Sequence, residues 1–169
     1  KCFLLLKEDT RKDFEEFPES EESPEAVVIG DIGDAWNYSI LNKVFRMIME
    51  GAKLIALHKG KYWQVEDGLQ MDIGMFVAGL EYATGKKAMI TGKPATSFFN
   101  LALKDLGLSP ENVAMIGDDI DSDVGGAQQA GLKGILVKTG KYREEFAANS
   151  PVTPNLIIKS IADLKKLLL

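Results

Sequence analysis

The stretch AMIGDDIDSDVGGAQQAG, residues 114–131, sets four aspartates (Asp118, Asp119, Asp121 and Asp123) into six positions directly after an apolar run, with Gly125 and Gly126 close behind. Like charges packed this closely repel one another, and without a cation among them the cluster costs stability. Aspartates do cap helix N-termini, where negative charge is favoured, but capping accounts for only one or two of the four. An EF-hand loop opens with the same spacing from Asp119, yet its sixth position is Val124 instead of glycine and its twelfth is Ala130 instead of glutamate. No G-x-G-x-x-G fingerprint follows any strand-like run either. A Mg²⁺ site remains. Mg²⁺ takes hard oxygen ligands, commonly one or two carboxylates with water and a substrate phosphate. In that reading Asp118 is the direct ligand, and Asp119 and Asp123 orient it from behind. Gly125 and Gly126 let the backbone run close to the site.

The surroundings place this cluster on a sheet. Short apolar runs alternate with helix-period segments: strands at 2–6, 26–30, 53–58, 88–90, 113–117, 134–138 and 155–158, with a further one at 61–65. Helices are predicted over 35–50, 73–85, 95–107 and 122–131, and the tail SIADLKKLLL carries Ser160 and Asp163 in capping-box spacing. The helix at 35–50 should bury Ile40, Val44, Met47 and Ile48, and the one at 95–107 Phe99, Ala102, Leu103 and Leu106. Near-continuous apolar strands alternating with helices predict an α/β fold with a parallel sheet covered on both faces. Ligands of such sheets gather outside the carboxyl ends of the strands, and Asp118 stands one residue past the run VAMIG.

A second element, MITGKP at 89–94, puts Lys93 after a strand and a glycine. An ammonium there can reach the same sheet edge, neutralise phosphate charge and hold a carboxylate in place. Other features are excluding. Residues 8–25 hold nine acids and two bases, leaving 16 acids against 18 bases elsewhere, so the net charge of −5 is the work of one segment, read as a solvated loop. No basic face interleaved with aromatics argues for nucleic acid, and no apolar run reaches 18 residues, so no membrane span is expected. The single histidine, His58, rules out a multi-histidine metal site. The single cysteine, Cys2, is read as a small buried apolar residue in a reducing, cytoplasmic setting.

GKP, then MIGDDIDSDVGGAQQAG, then GILVKTGKY together resemble the haloacid dehalogenase superfamily of phosphohydrolases, in the branch with an α/β cap inserted before the third motif. The resemblance implies a Rossmann-like parallel sheet with a cap, Lys93 as third-motif catalytic and phosphate-binding cation, and Asp118 as fourth-motif acid and Mg²⁺ ligand. It implies hydrolysis of a small phosphorylated substrate through an aspartyl-phosphate, and pairing of two copies through the cap. It divides the chain into a core segment at 1–22 (edge strand and acidic loop), a cap at 23–86 and the C-terminal half of the core at 87–169. The family's nucleophile motif, D-x-D-G-T/V, does not occur here; Asp31 and Asp34 stand in D-x-x-D spacing in the expected cap. The core sheet is therefore expected to be incomplete, the nucleophile to lie on a missing N-terminal segment, and these 169 residues alone to be inactive. The rival expectation is a non-catalytic product whose cap serves as a dimerisation or binding module. Trp36, Tyr38, Tyr62 and Trp63 are expected in the cap core or at a cap–cap interface.

Overall fold

The computed structural model describes residues 1–167. Its elements in chain order are β1 (Cys2–Leu5), α1 (Glu8–Arg11), β2 (Ala26–Ile29), α2 (Tyr38–Met49), β3 (Lys53–Ala56), β4 (Tyr62–Val65), β5 (Gly68–Met71) and α3 (Gly74–Thr84). There follow β6 (Met89–Ile90), α4 (Thr96–Leu106), β7 (Ala114–Gly117), α5 (Gly126–Gln129), β8 (Lys133–Val137), α6 (Glu144–Asn149), β9 (Leu156–Ile158) and α7 (Leu164–Leu167). The last two leucines of the expected terminal helix lie outside the described residues. The chain divides into two compact units, one of Lys1–Lys61 with Met71–Thr91, the other of Tyr62–Gln70 with Gly92–Leu169.

The first unit is a four-stranded parallel sheet in the order β1-β2-β3-β6. Its strands are apolar on both sides because both sides are covered, at least in part. On one face Leu5, Val27, Ile29, Leu54 and Ala56 pack with Val44, Met47 and Ile48 of α2 and with Val77 and Leu80 of α3. Val27, Ile29, Val44, Ile48 and Val77 have no exposed surface; burying such a side chain is worth about 1.5–3 kcal/mol each. On the other face Cys2, Leu4, Leu6 and Val28 meet Phe14. The acidic segment is thus less loop-like than expected: it contains α1 and a short turn at Lys12–Phe14 that delivers Phe14 to the sheet, while its charges pair at the surface, Arg11 with Glu19 and Lys12 with Asp9.

The expected domain boundaries differ from these units. Residues 1–22 do not group with the C-terminal half, because β1 aligns residue for residue with β2, Cys2 opposite Ala26 through Leu5 opposite Ile29. The strand at 89–90 likewise belongs to the first unit, where Ile55 and Ala56 pair with Met89 and Ile90. Residues 62–70, assigned to the cap by sequence, group with the C-terminal unit. β5 was not foreseen at all; it is the partner of β4 in a two-stranded sheet.

The second unit holds the parallel sheet β7-β8-β9. Phe99, Leu103, Ala127 and Leu132 form one cluster and Ile120, Val124 and Leu136 another. Among the described residues β7 is paired only on its β8 side. α4 buries Phe99 and Leu103 as its periodicity predicts, but Ala102 is exposed and Leu106 is 58% exposed. The anticipated interface aromatics have separate fates. Trp36 stacks on Phe76 at 4.2 Å between ring centres, and Tyr62 packs on Phe146 within the second unit, whereas Tyr38 and Trp63 are exposed.

The link from α3 to β6 is held by Glu81, whose buried carboxylate takes the Lys59 ammonium at 2.5 Å and the Ala88 N–H at 3.0 Å. Burial pushes its carboxyl up, but Lys59 and the Ala88 amide outweigh it, and the net position is below the ordinary value. A depressed folded-state pKa gives stability that is present above the unfolded pKa and lost as pH falls through the folded one. Glu81→Gln should therefore cost about 1–3 kcal/mol in urea unfolding at neutral pH. The difference from wild type should shrink below about pH 4; a difference constant down to pH 3 would contradict this account.

Candidate active site

The acidic stretch leaves β7 at its carboxyl end. Asp119 then caps the next turn: its Oδ1 accepts from the N–H groups of Asp121 and Ser122, each at 3.0 Å. That turn is wide. The Asp119 carbonyl receives both Asp123 N–H at 3.0 Å and Val124 N–H at 3.2 Å, so Ile120–Gly125 is a π-helical turn running into the short α5 instead of the α-helix predicted from 122. The widened turn places Asp123 inward, only 4% exposed.

Lys93, expected to reach the sheet edge of Asp118, is in direct contact with Asp123: the ammonium lies 2.7 Å from Asp123 Oδ1, and Asp123 Oδ2 accepts the Asp119 N–H at 3.2 Å. Lys93 remains two-fifths exposed. Two glycines make this approach possible. A Cβ on Gly126 would lie 2.9 Å from the Pro94 Cα and 2.8 Å from the Phe99 ring, and one on Gly117 would lie 2.4 Å from Asp123 Cβ. Pro94 of the loop after β6 thus packs against the bare backbone of Gly126, and Asp123 folds back against the bare backbone of Gly117.

Lys141, which sequence reasoning did not single out, completes the cluster. Its ammonium meets Asp119 Oδ2 at 2.6 Å, and its main-chain N–H donates to Asp118 Oδ2 at 2.8 Å. Burial pushes the Asp119 carboxyl up, but the Lys141 ammonium and the Ser122 N–H prevail and hold it at about 2. Burial works to lower Lys141, and the Asp119 carboxylate overrides it, so its pKa is raised. The only sequence signal for Lys141 was its place in GILVKTGKY.

The acids are thereby sorted. Asp123 is matched by Lys93, Asp119 by Lys141, and Asp121 accepts the Ser150 hydroxyl at 2.8 Å. Among the described residues no ion pair within 4 Å joins Asp118 to an ammonium or guanidinium; its Oδ2 takes the Lys141 N–H, the Lys141 ammonium acts on it from farther off, and its hard carboxylate lies at the end of a parallel strand. That donor suits Mg²⁺. The described residues contain no group of three or more acids, histidines or cysteines arranged to hold an ion by themselves. Asp31 and Asp34 lie in the first unit; Asp31 is engaged by the Lys7 ammonium and the Gly33 N–H, as a local loop tie. His58 accepts the Gly60 N–H at 3.3 Å, also within that unit.

Residues 90–164, which span Lys93, the aspartates and Lys141, match the HAD-hydrolase-like family model. The chain belongs to the HAD-like hydrolase family. It is 48% identical over 150 residues to human haloacid dehalogenase-like hydrolase domain-containing protein 2, covering 88% of this chain and 57% of the relative. It is 40% identical over 168 residues to mouse phospholysine phosphohistidine inorganic pyrophosphate phosphatase, covering 98% of this chain and 62% of that protein. The fold matches the 4-nitrophenylphosphatase of Thermotoga maritima with a TM-score of 0.86 at 30% identity, over 98% of this chain and 64% of the other. The chain thus spans about three-fifths of the length of these HAD-like proteins.

The packing of Gly126 gives a test of the site's assembly. Gly126→Ala should force the loops at 92–95 and 118–126 apart and cost about 1–3 kcal/mol, the usual range for overpacking. It should also weaken the Lys93–Asp123 contact, read by NMR as an altered Lys93 side-chain amine environment. Wild-type stability with an unchanged Lys93 signal would contradict the close-approach reading.

Proposed function

We propose that these residues form the cap-bearing, Mg²⁺-binding part of a phosphohydrolase that cleaves a small phosphate monoester, phosphoramidate or phosphoanhydride. The observation that carries this is the arrangement of charges in the second unit: Lys93 pairs with Asp123, Lys141 pairs with Asp119, and Asp118, held by the Lys141 main-chain N–H, stands just past the carboxyl end of β7. The names of the relatives, which act on nitrophenyl phosphate, phospholysine, phosphohistidine and pyrophosphate, support the reaction class without choosing among substrates.

In this reading the nucleophile is an aspartate outside these 169 residues. Its carboxylate oxygen bonds to phosphorus as the bond to the leaving oxygen or nitrogen breaks. Water then attacks the phosphorus of the aspartyl-phosphate, releasing inorganic phosphate and regenerating the carboxylate. Lys93, anchored by Asp123 yet still partly exposed, holds its ammonium toward the phosphoryl oxygens as charge grows on them. The Asp118 carboxylate would hold Mg²⁺, which when bound supplies positive charge to the same oxygens. Asp119 and Asp123 touch no substrate; one fixes the turn and the other fixes Lys93.

Asp118→Asn in the complete enzyme should abolish Mg²⁺-dependent hydrolysis of p-nitrophenyl phosphate while the circular dichroism spectrum stays native. Asp123→Asn should lower turnover by about 10–100-fold, the range seen when a group supporting a ligand is removed. Full activity of the Asp118 variant would rule out the assignment.

A further inference from the structure

We infer that Lys141 is a positioning residue that sets the orientation of Asp118 by anchoring the loop after β8 to Asp119. The inference rests on the phosphohydrolase reading above and deepens it. Lys141 grips two consecutive acids with its two ends: the main-chain N–H holds Asp118 Oδ2 at 2.8 Å and the ammonium holds Asp119 Oδ2 at 2.6 Å. Exposed ion pairs contribute little, but here both side chains are largely buried, 19% and 20% exposed. The Asp119 end is itself fixed, since Oδ1 carries the Asp121 and Ser122 amides. The ammonium therefore ties the loop after β8 to a rigid point on the turn after β7.

The neighbouring residue shows how closely this loop bears on Asp118. Gly140 has φ +59, and a Cβ there would fall 2.0 Å from Asp118 Oδ2. The backbone at 140–141 thus forms one wall around that oxygen, and any drift of the loop moves both the wall and the amide. A carboxylate whose one oxygen is occupied by a fixed N–H presents its other oxygen in a set direction, which is what a small ion with strict geometry requires. By neutralising Asp119, the same ammonium also keeps the adjacent acid from competing for the ion.

The test is a calorimetric titration of the complete enzyme with Mg²⁺, beside substrate kinetics and thermal melts. Lys141→Met keeps the main-chain amide and removes only the tether. It should raise the apparent Mg²⁺ dissociation constant by about 10-fold or more, and lower kcat with little change in KM. Lys141→Arg should restore most of the affinity, because a guanidinium can span the same short gap to Asp119. If Lys141→Met fails to fold, Asp119→Asn cuts the same tether from its other end and should raise the constant likewise. A Lys141→Met protein that melts lower yet binds Mg²⁺ as wild type would make the residue merely structural and overturn the inference alone. Wild-type enzyme that takes up no Mg²⁺ would overturn the phosphohydrolase reading and the inference with it.

Discussion

A carboxylate as buried as that of Asp123 must find compensation, and here it comes from the Lys93 ammonium on one oxygen and the Asp119 N–H on the other. Much of the second unit's local architecture follows. Removing one partner of such a pair strands an uncompensated charge, at a cost of about 3–5 kcal/mol, so the loop after β6 and the turn after β7 are constrained to meet. They meet where Gly126 carries no side chain against Pro94, and Asp123 reaches back under the end of β7 because Gly117 carries none. The π-helical turn is part of the same arrangement, since it carries Asp123 back under the end of β7.

Around that pair the cluster divides its labour by charge balance. Two ammoniums serve Asp123 and Asp119, a hydroxyl serves Asp121, and Asp118 is held by a neutral amide alone. Repulsion among four acids in six positions is thus relieved by ammoniums at Asp123 and Asp119, while Asp118 rests against the backbone of Gly140 and Lys141. The strength of the Asp119–Lys141 contact appears in both partners, whose pKa values move apart. A capping loop alone would not need two of its acids matched with ammoniums drawn from two other loops.

The sequence showed the alternation of strands and helices, the position of the acidic cluster at a strand end and the relevance of Lys93, because each is written in local pattern. It did not show which units the strands join. β1 and β6 read as strands from composition, but their pairing with β2 and β3 is a matter of register between segments 24 and 34 residues apart, as in Cys2 with Ala26 and Ile55 with Met89. The helix at 122 was legible only as helix; the double acceptance by the Asp119 carbonyl that widens it has no periodic signature. Lys141 was invisible for a related reason. A lysine after a strand resembles a solvated lysine until a folded partner, here Asp119, is placed against it. Ala102 and Leu106 show the converse, an apolar face longer than the one the second unit covers.

The most direct measurement is a double-mutant cycle across Lys93 and Asp123, with Lys93→Met, Asp123→Asn and the double variant compared in urea unfolding. If the pair is what joins the two loops, each single change should be costly and the double change should cost less than their sum. The coupling should be about 1–3 kcal/mol, as found for side chains in direct contact. Additivity within about 0.3–0.5 kcal/mol, as for independent sites, would show that Lys93 and Asp123 do not depend on each other and would contradict the account.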